Sequence, residues 1–333
     1  MRPLFTMLPL HIAILHGIGK NEIGYADDLT AGIQKEFDKI LTKVIGQADS
    51  AEPKIVFQPI VWDDILGVNQ GKLKAILERA LEQKERKTFL GFWTAVGFLP
   101  LLIAVWLFFT LFKNPLIILV AFLFSGYWLY RFGSKLYYQV RTGFAAEFVM
   151  DIIGYLDDEA KKRIQARIKE DLERNNPANA PVTFIAHSLG TVIASDFIYD
   201  CQYNDYWGNF KLSNLFTMGS PLALFALRYG AELFNKPINV EGSGRWVNIL
   251  DKDDPIAYPL RELNAEYKAV VLADLEVNVG PLGIAHVQYW KNQSVHRIIA
   301  AKLALDWLRI NNRLPAGDLQ KMQEKYDLDI PHG

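Results

Sequence analysis

Cysteine is nearly absent: Cys201 stands alone among 333 residues. A single thiol can form neither an intrachain disulfide nor a cysteine-rich metal site, which suits a reducing compartment. An excess of one charge is missing too. Lys and Arg total 36 against 37 for Asp and Glu, a formal net charge of −1, so no basic surface points to nucleic acid and no acidic tail to a polycation. No His-Glu-x-x-His or comparable cluster appears, which leaves no metal expected. A phosphate loop would need glycine at 14 and Ser or Thr at 21, where Ile14 and Asn21 stand. A dinucleotide fingerprint beginning at Gly17 fails at Glu22. No cofactor is therefore expected. Nor is a secretory leader: Met1 to Leu10 holds one basic residue, two prolines and no small-residue cleavage site, and reads as a lead-in to a first strand.

What is there begins with a residue set that is 50% hydrophobic, enough for a sizeable core. Residues 11 to 19 (His-Ile-Ala-Ile-Leu-His-Gly-Ile-Gly) are a short apolar run ending in glycines, the pattern of a buried parallel strand entering a tight loop. Leu29, Ile33, Phe37 and Ile40 give the stretch from 25 to 45 one apolar helical face. Residues 54 to 62 read as a second strand, with Pro59 favouring a sheet edge, and 65 to 86 as a charged amphipathic helix. After 144 to 156 and 158 to 174, both helical in pattern, strands are expected at 182–186, 215–219, 246–250 and somewhere in 268–279. Helices are expected at 191–199 and 295–310. Alternating β and α segments argue for an α/β fold, a mostly parallel sheet with helices on both faces.

One segment is of another kind. Thr88 to Phe112 is 25 residues without a charge, and after Lys113-Asn114-Pro115 the run Leu116 to Tyr130 is again uncharged. At about 1.5 Å per residue the first run is long enough for a hydrocarbon core of about 30 Å. The second needs Arg131 and Lys135 to snorkel. Trp93, Tyr127, Trp128 and Tyr130 lie near the ends, where amphipathic rings collect. A transmembrane hairpin over 88–132 is the reading, ahead of a buried helical pair or an apolar lid. Lys84, Arg86, Lys87, Arg131, Lys135 and Arg141 flank it, against Lys113 in the turn, which places both globular flanks in the cytoplasm. The domains then divide as 10–64 and 180–311 for the α/β core, 65–175 for a helical insertion carrying the hairpin, and 312–333 for a C-terminal tail.

Four short motifs carry chemistry. Val182-Thr-Phe-Ile-Ala-His-Ser188-Leu-Gly leads straight into a helix, with small residues, Ala186 and Gly190, two places either side of the serine. A nucleophile elbow needs that strand, sharp turn and helix. Alanine at 186 replaces the first glycine of Gly-x-Ser-x-Gly. His16-Gly17-Ile18-Gly19 follows the first strand. Trp246-Val-Asn-Ile-Leu-Asp251-Lys-Asp253-Asp254-Pro-Ile-Ala places three carboxyls past a strand end. His286-Val-Gln-Tyr-Trp follows a Gly-Pro-Leu-Gly loop ahead of the last helix. His332 lies in the tail and His296 within that helix, so His286 is the downstream histidine in a loop. His187 cannot serve as base to its neighbour, because adjacent residues on an elbow point in different directions. Gly219-Ser220-Pro221 offers a second serine, but a proline directly after it does not suit an elbow, and it reads as structural.

In this order the motifs resemble the α/β-hydrolase superfamily, specifically its lipase and esterase group of serine hydrolases, over roughly 10–64 and 180–311. The resemblance implies Ser188 as nucleophile, His286 as base and an acid from 251–254. Asp254 best matches the family's Asp-x-Ile/Val pattern, and Asp251 is the alternative. It implies an oxyanion hole from backbone N–H groups of Leu189 and of the loop after the first strand, with Ile18 first and Gly17 and Gly19 beside it. The activity implied is carboxylic ester hydrolysis. A membrane hairpin would favour lipid esters, as in a lipase or phospholipase. An anchored carboxylesterase or thioesterase, or a non-catalytic membrane scaffold, are the alternatives.

Overall fold

The structure is a computed structural model. It describes residues 7–17, 23–46, 54–66, 155, 157–176, 180–229, 238, 240, 245–281, 284–315, 317–318 and 320–322. By its contacts the chain separates into two units, Met1–Ile65 with Asp158–Gly333, and Leu66–Asp157. Nearly all of the second lies outside the described residues. With it go the hairpin anticipated over 88–132 and the helices expected at 65–86 and 144–156. Among the described residues no helix is long and apolar enough to cross a membrane.

Six strands form the first unit's sheet: β1 (Leu10–Leu15), β2 (Ile55–Ile60), β3 (Val182–His187), β4 (Leu212–Met218), β5 (Trp246–Leu250) and β6 (Val271–Glu276). Their order is β2-β1-β3-β4-β5-β6 and every pairing is parallel. The fold class is α/β. Pro59 sits on β2, an edge strand, where its missing N–H costs no ladder bond on the outer side. The seven helices described are α1 (Asp27–Ile45), α2 (Asp63–Leu66), α3 (Asp158–Asn175), α4 (Leu189–Tyr203), α5 (Leu222–Tyr229), α6 (Ala265–Val270) and α7 (Gln293–Ile310). Helix α3, grouped with the insertion on sequence, belongs to the first unit. There its Arg167 donates to the Val61 carbonyl and Lys161 pairs with Asp196.

Both faces of the sheet are covered, which is why its strands read as nearly continuous apolar runs. On one face Ile12, Ile14, Ile185, Phe216 and Ile249 pack with Leu29, Ile33 and Phe37 of α1 and Val295, Ile299 and Leu303 of α7. On the other, Phe184 meets Phe197 of α4. Each such fully buried side chain stabilises the fold by about 1.5–3 kcal/mol. Gly32 lets α1 approach α7 closely, since a Cβ there would lie 2.0 Å from His296 Nδ1. That spends His296 on packing, with its Nε2 bonded to the Trp290 carbonyl.

Parallel strands point their carboxyl ends the same way, and in open α/β sheets ligands bind beyond those ends. All four chemical motifs follow the carboxyl ends of β1, β3, β5 and β6.

Candidate active site

Ser188 joins the end of β3 to the start of α4 with φ 52 and ψ −130. A non-glycine residue at positive φ is strained, and that strain marks a turn enforced by its surroundings. Three contacts enforce this one. The Ser188 N–H donates to the Met218 carbonyl of β4 at 3.0 Å, and the Thr191 hydroxyl donates back to the Ser188 carbonyl at 2.7 Å. The end of β1 crosses over Gly190, where a Cβ would come within 2.3 Å of the His16 carbonyl oxygen. The second small residue of the motif must therefore be glycine. Position 186 is a sheet residue paired with Leu15 and Thr217, and it accommodates a methyl group. The Leu189 N–H is the first of α4 and so has no carbonyl partner within the helix.

His286 lies on a short 3-10 turn, Ala285–Val287, after β6. Its Nδ1–H donates to Asp254 Oδ2 at 2.8 Å, which leaves Nε2 to accept from the Ser188 hydroxyl at 2.8 Å. The three side chains form one hydrogen-bonded line, and all three residues are buried. Asp254 Oδ1 accepts the Ile256 N–H at 3.1 Å, and Oδ2 also accepts from the Tyr289 hydroxyl at 3.0 Å. Burial pushes the Asp254 carboxyl up, but its bonds to His286, Ile256 and Tyr289 outweigh this and hold it below the usual carboxylate range. Asp254 is thus the ionised partner of His286.

Asp251 faces elsewhere. Its Oδ1 accepts the Asp253 N–H, while Oδ2 accepts the Val279 N–H at 2.6 Å and the Gly280 N–H at 3.4 Å. It staples the loop after β5 to the loop after β6. Asp253 is partly exposed.

Gly219, at φ +57, ends β4 beneath this line. A Cβ there would lie 2.9 Å from Tyr289 Cε2, 3.0 Å from Asp254 Oδ2 and 3.3 Å from His286 Cε1. Ser220 is buried. Its hydroxyl donates to Thr191 Oγ1 at 2.8 Å and accepts the Leu222 N–H at 3.3 Å, a tie between α4 and α5.

Two further imidazoles flank the line. His16, after β1, donates from Nδ1 to the Gly17 carbonyl at 2.7 Å and accepts the Trp62 N–H at Nε2. It stacks on the Trp62 ring with centroids 4.7 Å apart. Burial lowers its pKa despite the Gly17 bond and nearby Asp63 and Asp64. His187 donates from Nε2 to the His286 carbonyl at 2.6 Å. Burial, and then the neighbouring His286 ring, hold His187 down to about 3, against the opposing pull of its bond to the His286 carbonyl. Both rings stay neutral, and His187 braces the turn that carries His286. Gly17 lies against the serine, since a Cβ there would be 2.5 Å from Ser188 Cβ. Ile18 and Gly19, the other two residues of the anticipated oxyanion loop, lie outside the described residues.

The structure thus brings Ser188, His286, Asp254, Gly17 and Leu189 together and sets Asp251 aside. His187, Tyr289 and Gly219 at the same site were not singled out for these roles by sequence. Tyr289 stands three places after His286, a spacing that returns to the same side of a tight turn. The contact of His187 spans 99 residues and leaves no local trace. Among the described residues no group of His, Cys, Asp or Glu is placed to hold a metal ion. Burial raises the Cys201 thiol to about 12, so it stays protonated and unreactive.

No family model matches the chain, and no solved structure matches it. A probable mitochondrial phospholipase of Schizosaccharomyces pombe is 25% identical over 148 residues, a match covering 35% of this chain and 20% of that protein. The chain therefore spans about a fifth of its relative. The parallel α/β sheet and this distant similarity together fit a hydrolase-like fold.

Proposed function

We propose that the protein is a serine hydrolase of the α/β-hydrolase type that cleaves carboxylic esters, with lipid esters as its substrates. One observation carries the reading: the unbroken line from Ser188 Oγ through His286 to Asp254 at the carboxyl ends of the strands. A serine hydroxyl is a weak nucleophile until a base takes its proton. Here Nε2 of His286 is in hydrogen-bond reach of that proton, and the Asp254 carboxylate stabilises the imidazolium that forms without itself being protonated.

In the first step Ser188 Oγ attacks the ester carbonyl carbon and its proton passes to His286 Nε2. The carbonyl electrons move onto oxygen, which is stabilised by the Leu189 N–H at the positive end of α4 and by the loop after β1. The intermediate collapses, and the leaving alkoxide takes the proton from Nε2. Water then enters by the same route, releases the acid and restores the serine.

The preference for lipid esters is supported by the name of the distant relative and by the uncharged runs between 88 and 132. Membrane attachment through that segment, with the hydrolase unit on the cytoplasmic side, belongs to the same proposal.

A fluorophosphonate probe tests the chemistry and vesicle hydrolysis tests the substrate. Wild type is expected to be labelled and to release fatty acid from phospholipid vesicles, and Ser188→Ala to do neither. Equal labelling of Ser188→Ala would remove Ser188 as nucleophile. Turnover confined to water-soluble p-nitrophenyl or acyl-CoA substrates would instead make it a carboxylesterase or thioesterase.

A further inference from the structure

Tyr289 is fully buried beside the reacting line, on the 3-10 turn after that of His286. Its hydroxyl accepts the Asp251 backbone N–H at 2.9 Å, which directs its own proton to Asp254 Oδ2 at 3.0 Å. That oxygen is the one that accepts the His286 Nδ1–H. We infer that Tyr289 is a positioning residue for the reaction: its hydroxyl fixes the rotation of the Asp254 carboxylate so that Oδ2 faces His286. The inference rests on the reading of Ser188, His286 and Asp254 as the reacting groups.

The hydroxyl, not the ring, is what the geometry requires. A phenylalanine would fill the same space between β5 and the His286 turn. It would leave the Asp251 N–H without its acceptor and Asp254 Oδ2 with one donor fewer. The Asp254 side chain has 0% exposure, so bulk water does not replace the missing bond. Hydrogen bonds to a charged group are the stronger kind. Two donors from different places, the Ile256 N–H on Oδ1 and the Tyr289 hydroxyl on Oδ2, hold the carboxylate plane. The first comes from its own loop and moves with it. The second comes from the His286 segment, so it ties the acid to the base it serves. Tyr289 does not itself move protons, because burial and the adjacent Asp254 carboxylate push its phenol far above the ordinary value.

Tyr289→Phe in the full-length protein tests this by steady-state ester hydrolysis. Because the hydroxyl acts through Asp254, kcat is expected to fall roughly tenfold with KM within about twofold of wild type. In an Asp254→Ala background the same change is expected to leave kcat unaltered, since there is no carboxylate to orient. A general weakening of the fold would lower kcat in both backgrounds, and that result overturns the inference. So does a Tyr289→Phe protein with the wild-type kcat. Failure of the underlying reading looks different: wild type itself would then be unlabelled by the fluorophosphonate probe.

Discussion

His187 makes the folded protein sensitive to acid, and the size of the effect follows from its burial. In the unfolded chain its imidazole titrates near 6.5, whereas in the folded protein it is held down to about 3. Below pH 6.5 the unfolded chain therefore binds a proton that the folded chain excludes, and protons pull the equilibrium toward unfolding. This contribution is fully present above 6.5 and is lost progressively as pH falls toward 3. One pH unit is worth about 1.4 kcal/mol, so at pH 5 the loss is about 2 kcal/mol. Against a total stability of about 5–15 kcal/mol that is readily measured. His187→Gln removes the titration, and its amide nitrogen can still reach the His286 carbonyl. Urea unfolding followed by tryptophan fluorescence, at pH 7.5 and pH 5, gives the test. The stability difference between wild type and His187→Gln is expected to shift by about 2 kcal/mol in favour of the variant at the lower pH. His16 and Asp254, shifted in the same downward direction, are common to both proteins and cancel. The same difference at both pH values would show that His187 takes up a proton in the folded state and would refute the reasoning.

Three other substitutions bear on the Asp254 end of the line and the loops that hold it. Gly219→Ala places a methyl group at φ +57 and within 3.0 Å of Asp254 Oδ2. Strain and crowding together are expected to destabilise the fold by about 2–4 kcal/mol, and displacement of the acid to lower kcat about 10²-fold. Thermal denaturation and ester turnover at wild-type levels would contradict both. Asp254→Asn is expected to cut kcat by about 10⁴ through loss of the imidazolium's partner. Asp251→Asn is expected to cost about 1–3 kcal/mol of stability and less than tenfold in kcat. The reverse ranking in side-by-side kinetics would exchange their roles.

How much of this was legible depends on whether a residue's role is set by its neighbours in sequence or in space. The sharp turn at Ser188 was readable because a strand, two small flanking residues and a helix start all sit within ten positions. Pro59 marked an edge strand for the same local reason. β6 was harder to bound, since α6 runs directly into it at Val271 and no glycine or proline separates the two. Asp254 could be preferred on sequence but not separated from Asp251, because both follow β5 in a turn-forming string. Only the direction of their oxygens distinguishes them. Sequence made His296 a structural candidate but could not show its tie to Trp290. His187 and Tyr289 stayed hidden because each acts on a partner carried by another segment, His187 across 99 residues and Tyr289 across 35.

In the proposed reaction the nucleophile Ser188 and its base His286 are separated by 98 residues of chain. During synthesis at about 5–20 residues per second, Ser188 is made roughly 5–20 s before His286. For that interval the serine hydroxyl lacks its base, and as a bare alcohol it is inert toward the esters around it. On that reading, the line from Ser188 to Asp254 lacks its middle member until β6 and the turn after it have docked.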